Sequence, residues 1–139
     1  MLMIINKKKY PEYFFSGTAL LLHISKADDI IQDNEINLIK NIIEEFFKVS
    51  KNDSTKIIKK SLLILEKSTD IYELGTNLNS HFNYQDKIDF ICCAFEVAYA
   101  DSKLHYLEEH FIKTISSILN VEQIDLIKSK NEIRNYLEL

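Results

Sequence analysis

Four acidic residues recur at one fixed spacing along the chain. Asp28 and Glu35 are seven residues apart, as are Asp101 and Glu108, and the two pairs are offset by 73 residues. Carboxylate oxygens are hard ligands that suit Mg²⁺, Ca²⁺ or Mn²⁺ better than softer metals. If the two pairs meet in the fold, the sequence predicts a divalent-cation site made of these four side chains.

An architectural role is the alternative for the same acids. An Asp in a turn accepts hydrogen bonds from backbone N–H groups, and a Glu in the first turn of a helix is stabilised by the helix dipole. A third interpretation is an acidic patch that docks a partner protein. Geometry separates these hypotheses: convergence of the carboxylates favours the cation, whereas a cap on each helix favours an interaction adaptor.

The acidic pairs belong to an internal repeat. Each copy predicts a helix, an acidic turn and a second helix, with one aliphatic residue of the turn in the core. We expect a pseudo-twofold to relate the two helix-turn-helix copies. Apolar residues that match at the same offset of 73 are Ile31 with Leu104, Ile39 with Ile112, Ile42 with Ile115, and Phe46 with Leu119.

Apolar residues recur at three-and-four spacing throughout the chain, which predicts an all-α fold of about seven helices. Gly occurs 2 times and Pro once, too rarely for the turns of an all-β fold. Pro11 suits the start of the first helix, and Asp33, Asp70 and Asn83 are predicted N-caps.

Two helices carry more specific expectations. The apolar segment Ile88 to Ala100 is predicted to form the most buried helix, with Cys92 and Cys93 as reduced core residues. A last helix from about Glu122 is predicted to carry Ile124, Ile127 and Ile133 on its apolar face against the core.

Length and charge limit the class of protein. The 139 residues predict a single domain over 1–139, with residues 1–10 as a flexible or partly ordered N-terminus. A net charge of −4 repels nucleic-acid phosphate, and Lys7 to Lys9 lack interleaved aromatic residues that would stack bases. We therefore expect no nucleic-acid binding, and a protein is the expected class of partner.

The cysteine content and the apolar runs predict a soluble cytoplasmic protein. Two adjacent cysteines provide no disulfide framework, and no apolar stretch reaches the roughly 20 residues that a membrane-spanning helix requires. The apolar run at the N-terminus is too short for a signal peptide and precedes its lysines. We expect neither secretion nor membrane insertion.

Catalytic motifs are missing from the sequence. There is no nucleophile elbow, no glycine-rich phosphate loop and no HExxH motif. Cys93 lies in an apolar helix without a positive neighbour to stabilise a thiolate. His105 and His110 are five residues apart, so they do not share the helical face that a zinc site would need. The sequence therefore predicts a protein that is not an enzyme and holds no cofactor other than the cation considered above.

At the repeated turns the chain resembles the TerB-like family. This is the helical domain associated with tellurite resistance, also found at the start of a membrane-anchored J-domain co-chaperone. Each family repeat reads Ala-Asp-Gly, a hydrophobic residue and an acidic residue that opens the next helix. The matching stretches are residues 26–35 and 99–109.

The resemblance implies a seven-helix bundle with an acidic, metal-chelating cluster, in a stress context similar to tellurite resistance. A co-chaperone-like interaction module is the alternative that it implies. The chain departs from the family at the turn glycine, which is Asp29 in the first copy and Ser102 in the second. Glycine permits a positive φ that Asp tolerates moderately and Ser poorly, so the sequence predicts altered geometry or slight strain there.

Overall fold

The computed structural model describes residues 10–26, 31–67 and 70–139. These residues form seven α-helices and no strand, which confirms the predicted fold class. The predicted N-terminal tail, apart from Tyr10, lies outside the described residues. The helices are α1 Glu12–Ser25, α2 Asp33–Phe47, α3 Lys51–Lys67, α4 Ile71–His81, α5 Tyr84–Ala98, α6 Tyr106–Ile118 and α7 Gln123–Tyr136.

Helix α1 is the centre of the packing. Ten of its residues are buried, and it contacts α2, α3, α4, α5 and α6. The prediction that α5 is the most buried helix is wrong, because only six α5 residues are buried. The buried residues of α1 include Ser16, Gly17 and Thr18. Their low hydropathy does not indicate from the sequence that they are buried. A Cβ added at Gly17 would lie 3.3 Å from the rings of Phe47 and Phe90, so small residues here let neighbouring helices approach.

Helix starts test the predicted caps. Asp70 is the N-cap of α4, and its carboxylate accepts hydrogen bonds from the N–H groups of Tyr72 and Glu73. Asn83 is the N-cap of α5, so both predictions are confirmed. The prediction for Asp33 is wrong by one position, because α2 begins at Asp33 itself and Gln32 is the N-cap.

The second helix of each predicted repeat ends in the same way. Lys48 after α2 and Asn120 after α6 have left-handed backbones, with φ of 56° and 59°. The following valines donate backbone hydrogen bonds to carbonyls five residues earlier, Val49 at 3.1 Å and Val121 at 2.9 Å. This is the Schellman arrangement that satisfies the last carbonyls of a helix. The pseudo-twofold between the repeats stays a prediction.

Helix α7 lies at the surface and packs mainly on α5. Ile124 and Ile127 are 64% and 51% exposed, so the prediction that they face the core is wrong. Ser129 is buried and Ile133 is partly buried, because the side of α7 that meets α5 is shifted around the helix. None of the described helices combines the length and apolar composition needed to cross a bilayer.

Gly75 explains how α4 meets α6. A Cβ added at Gly75 would lie 2.6 Å from Cγ2 of Ile118, a distance at which something must move. Glycine lowers the helix propensity of α4 by about 1 kcal/mol relative to Ala, but it permits this close contact. The packing of α4 on α6 therefore depends on the absence of a side chain at this position.

Candidate functional site

The turn between α5 and α6, residues 99–105, holds the first of the predicted ligands. Asp101 Oδ1 accepts the backbone N–H of Lys103 at 3.2 Å, and Oδ2 lies 3.1 Å from His105 Nε2. Partial burial raises the pKa of Asp101, but these bonds outweigh it and the net pKa shift is downward. The Asp101 carboxylate is therefore already engaged within its own turn.

Glu108 is held in the first turn of α6. It is 6% exposed, and its Oε1 accepts the backbone N–H of His105, the N-cap residue, at 3.1 Å. A Glu at this position satisfies a helix N–H that has no partner in the helix and is favoured by the dipole. Glu108 thus has the architectural role that the sequence offered as the alternative.

Glu35 occupies the equivalent position in the first copy. Its Oε1 accepts the backbone N–H of Gln32 at 2.9 Å, and Gln32 and His105 differ by the repeat offset of 73. Glu35 is half-buried, unlike Glu108. Asp28, the fourth predicted ligand, lies outside the described residues, as does Asp29.

The described acids do not gather around a common point. Within residues 10–26, 31–67 and 70–139, no three His, Cys, Asp or Glu side chains form a group that would hold a metal ion. Three of the four predicted ligands instead contact backbone or side-chain groups of their own turn or helix start. The cation site at Asp28, Glu35, Asp101 and Glu108 stays a prediction, and the cap geometry favours the adaptor.

Ser102 has the backbone conformation that the missing glycine would favour. Its φ is 69°, in the left-handed region, and its N–H donates to the carbonyl of Tyr99 at 2.8 Å. A residue with a Cβ costs roughly 1–2 kcal/mol in this conformation. The turn keeps the geometry of a glycine turn, and the strain predicted from the sequence falls on Ser102.

A second candidate site is a groove that the sequence reasoning missed. It has a volume of about 890 Å³ and lies between α1, α2, α5 and the end of α7. We call it the aromatic groove, after the five aromatic side chains on its α1 and α2 sides and at the end of α4. These are Tyr13, Phe14, Phe46, Phe47 and Phe82.

The aromatic side chains of the groove contact one another closely. The rings of Phe14 and Phe47 stack with centroids 4.3 Å apart, and Phe46 meets Phe82 edge-on at 5.6 Å. Tyr13 stacks on the imidazole of His81 at 4.8 Å. Apart from Phe82, these residues are only partly buried, so they offer apolar surface to a ligand.

The α5 side of the groove is acidic. Asp86, Asp89 and Glu96 lie on one side of α5, and Glu45 faces them from α2. Burial raises the pKa of Glu96, and the nearby carboxylate of Glu45 raises it further. The sequence does contain the signal for this wall, since positions 86, 89 and 96 share one helical face. Only the fold reveals that Glu45 joins them.

Both cysteines line the aromatic groove. Cys92 and Cys93 are free thiols, which confirms the predicted lack of a bridge, but they are half-buried rather than mostly buried. Burial raises the pKa of both thiols, and Glu96 raises that of Cys93 further. The Cys92 thiol donates to Glu132 Oε2 at 3.8 Å. Raised pKa values keep both groups protonated at neutral pH, the inert form of a thiol.

One family model matches the chain over residues 16–131, and its description is tellurite resistance protein TerB. This range includes the turn at residues 99–105 and most of the aromatic groove. No curated protein and no solved structure matches the chain.

Proposed function

The chain belongs to the TerB family, and we propose that it is a non-catalytic interaction module that holds a segment of a partner protein in the aromatic groove. The family description suggests that this interaction serves a stress response similar to tellurite resistance. The observation that carries the proposal is the groove itself, in which partly buried aromatic rings from α1 and α2 line about 890 Å³.

The state of the acidic turns supports an interaction module over a metal-binding one. Glu35 and Glu108 each accept the N–H of the residue that caps their own helix. Asp101 is engaged by Lys103 and His105 within its turn. A carboxylate that serves as a cap stabilises the fold whether or not a cation is present.

The chemistry of the groove supports protein binding. Partly exposed aromatic side chains supply large contact area at a low entropic cost, and aromatic residues are enriched where proteins bind one another. The walls are helices, and an amphipathic helix that packs into such a groove is a recurring mode of peptide recognition. Thiols with raised pKa values line the groove without supplying a nucleophile.

A peptide-display selection on the full chain tests this proposal. Selected peptides are measured by calorimetry against the parent and against Asn41→Trp, because Asn41 is exposed, lies on α2 and lines the groove. The new indole occupies part of the groove without removing a core side chain. We expect Asn41→Trp to weaken binding by about tenfold or more.

Asn52→Trp is the matched control, since Asn52 is equally exposed but lies on α3, away from the groove. It should leave the affinity unchanged. Amide chemical shifts in the complex should also change around the groove. If Asn41→Trp binds the selected peptides as well as the parent does, or if the shifts map to another face, the proposal is wrong.

A further inference from the structure

Building on the proposed function, we propose that the occupant of the aromatic groove is an amphipathic helix of a partner protein that carries lysine or arginine beside its apolar stripe. The aromatic wall would take the apolar side chains. The carboxylates of α2 and α5 would take the positive charges.

The charge of the groove is strongly unbalanced. Four carboxylates line it, Glu45, Asp86, Asp89 and Glu96, whereas its only basic side chains among the described residues are Lys48 and His81. Asp86 accepts the backbone N–H of Asn83 in the cap of α5, and Asp89 accepts an amide N–H of Gln85. Glu45 and Glu96 have no hydrogen bond or ion pair to any described residue.

Glu45 disfavours the charged form of Glu96. They extend from facing helices, and the negative charge of Glu45 adds to burial in raising the pKa of Glu96. A cation placed between two such carboxylates relieves their repulsion, and it does so more strongly in a partly buried groove than at an open surface. A lysine or arginine of the ligand beside Glu96 therefore offsets the penalty on its charged form.

The positions of the two walls suggest the shape of the ligand. Aromatic rings line the side formed by α1 and α2, and carboxylates lie along α5 over the positions 86 to 96. A ligand that touches both walls needs apolar and basic side chains on adjacent faces of one short element. An amphipathic helix provides that arrangement, and the described residues offer no sheet edge to which an extended peptide would add.

Two matched synthetic peptides of about 18 residues test this inference. Both carry leucines at helical spacing, and the flanking positions are lysine in one peptide and glutamine in the other. Calorimetry with the full chain at low salt should give about tenfold tighter binding for the lysine peptide. Raising the salt concentration should reduce that preference, because ions screen the charges.

The double variant Glu45→Gln with Glu96→Gln should lose the preference and bind both peptides with the affinity of the glutamine peptide. Glu66→Gln with Glu73→Gln is the matched control, since these exposed acids lie on α3 and α4 outside the groove. This control should keep the full preference for lysine.

The possible failures are distinguishable. If both peptides bind equally, Glu45→Gln with Glu96→Gln changes nothing and Asn41→Trp weakens both, then the charge inference is wrong and the proposed function stands. If neither peptide binds the parent, or if Asn41→Trp affects neither, the proposed function fails as well.

One other occupant has suitable chemistry, the chain's own N-terminus. Residues 1–5 are apolar and Lys7, Lys8 and Lys9 follow them. The full chain with these three lysines changed to Glu should bind the lysine peptide with unchanged affinity. A several-fold rise in affinity would assign the groove to residues 1–9 and overturn the assignment to a partner protein.

Discussion

Glu108 at the α5–α6 turn and Glu96 in the aromatic groove are in opposite situations. Glu108 is almost fully buried, yet it accepts the N–H of His105 at 3.1 Å at the start of α6. Glu96 is half-buried, has no hydrogen-bond donor among the described residues and lies near Glu45. One acid contributes to the stability of the fold, and the other costs stability.

The difference between the two regions shows that whether a carboxylate stabilises the fold depends on the hydrogen-bond donors around it. A helix start supplies N–H groups without partners, so a carboxylate there is stabilised by the backbone. In the middle of a helix every backbone N–H is already bonded within the helix. Carboxylates from two packed helices therefore repel each other at such positions unless a cation lies between them. Of the acids at the repeated spacing, Glu35, Asp101 and Glu108 bind donors of their own turn or helix start, whereas Glu45 and Glu96 in the groove have no such donor among the described residues.

The largest expected effect comes from Glu108. Glu108→Ala should lower the free energy of unfolding by about 2 kcal/mol, because it removes a buried cap and leaves the N–H of His105 without this acceptor. Denaturant titration of the parent and the variant measures it. Glu108→Gln should lose less than half as much, since Gln also accepts at this position. Equal stability of Glu108→Ala and the parent would show that the cap is unimportant.

Glu35→Ala gives the comparison within the repeat. Its cap has the same geometry, but Glu35 is half-buried, so water replaces the lost acceptor more easily. A loss of about 1 kcal/mol is expected. A loss as large as that of Glu108→Ala would contradict the role given to burial.

Ser102 should respond in the opposite direction. Ser102→Gly should raise the free energy of unfolding by about 1 kcal/mol, because glycine adopts a φ of 69° without the strain of a Cβ. Ser102→Ala keeps the Cβ and should bring no gain. Thermal unfolding of the three proteins measures the effect, and a loss of stability in Ser102→Gly would show that the serine side chain matters more than the backbone.

Glu96→Gln should stabilise the protein slightly at neutral pH, by about 0.5 kcal/mol after solvent screening. Burial and Glu45 raise the pKa of Glu96 in the folded state, so folding penalises its charged form. The penalty is present above the folded-state pKa and vanishes below the ordinary pKa of 4.5, where both states are protonated. Urea titrations at several pH values should show the gain at pH 7 and not at pH 4. If Glu96→Gln is still more stable than the parent at pH 4, the gain comes from better packing of the Gln side chain and not from the loss of a charge.

The smallest expected effect is the response to metal ions. Because three of the four predicted ligands already have local partners, we expect Mg²⁺, Ca²⁺ and Mn²⁺ to leave the melting temperature unchanged. The cation site predicted from the sequence requires the opposite, a stabilisation of roughly 2.7 kcal/mol at a hundredfold excess over the dissociation constant. A rise that disappears in Asp28→Asn with Asp101→Asn would establish that site.

Sequence periodicity was enough to determine the helical fold and most helix starts. Seven segments with apolar residues at three-and-four spacing correspond to the seven helices of the described residues, and Asp70 and Asn83 cap α4 and α5. These features depend on contacts between residues close in the chain, which spacing and side-chain chemistry specify directly. The resemblance to the family repeat, not spacing, led to the prediction of altered geometry or slight strain at Ser102, and its φ of 69° shows that the geometry is kept.

Only the tertiary structure decided which helix is central and where apolar and acidic walls meet. Buried Ser16, Gly17 and Thr18 give α1 the central position, although their hydropathy conceals it. Ile124 shows the converse, since its helical spacing predicted a place in the core but its side chain is 64% exposed. Glu45 and Glu96 are 51 residues apart in the chain, so no local pattern pairs them. Their meeting depends on how α2 and α5 pack around α1, which is set by the fit of whole helix surfaces.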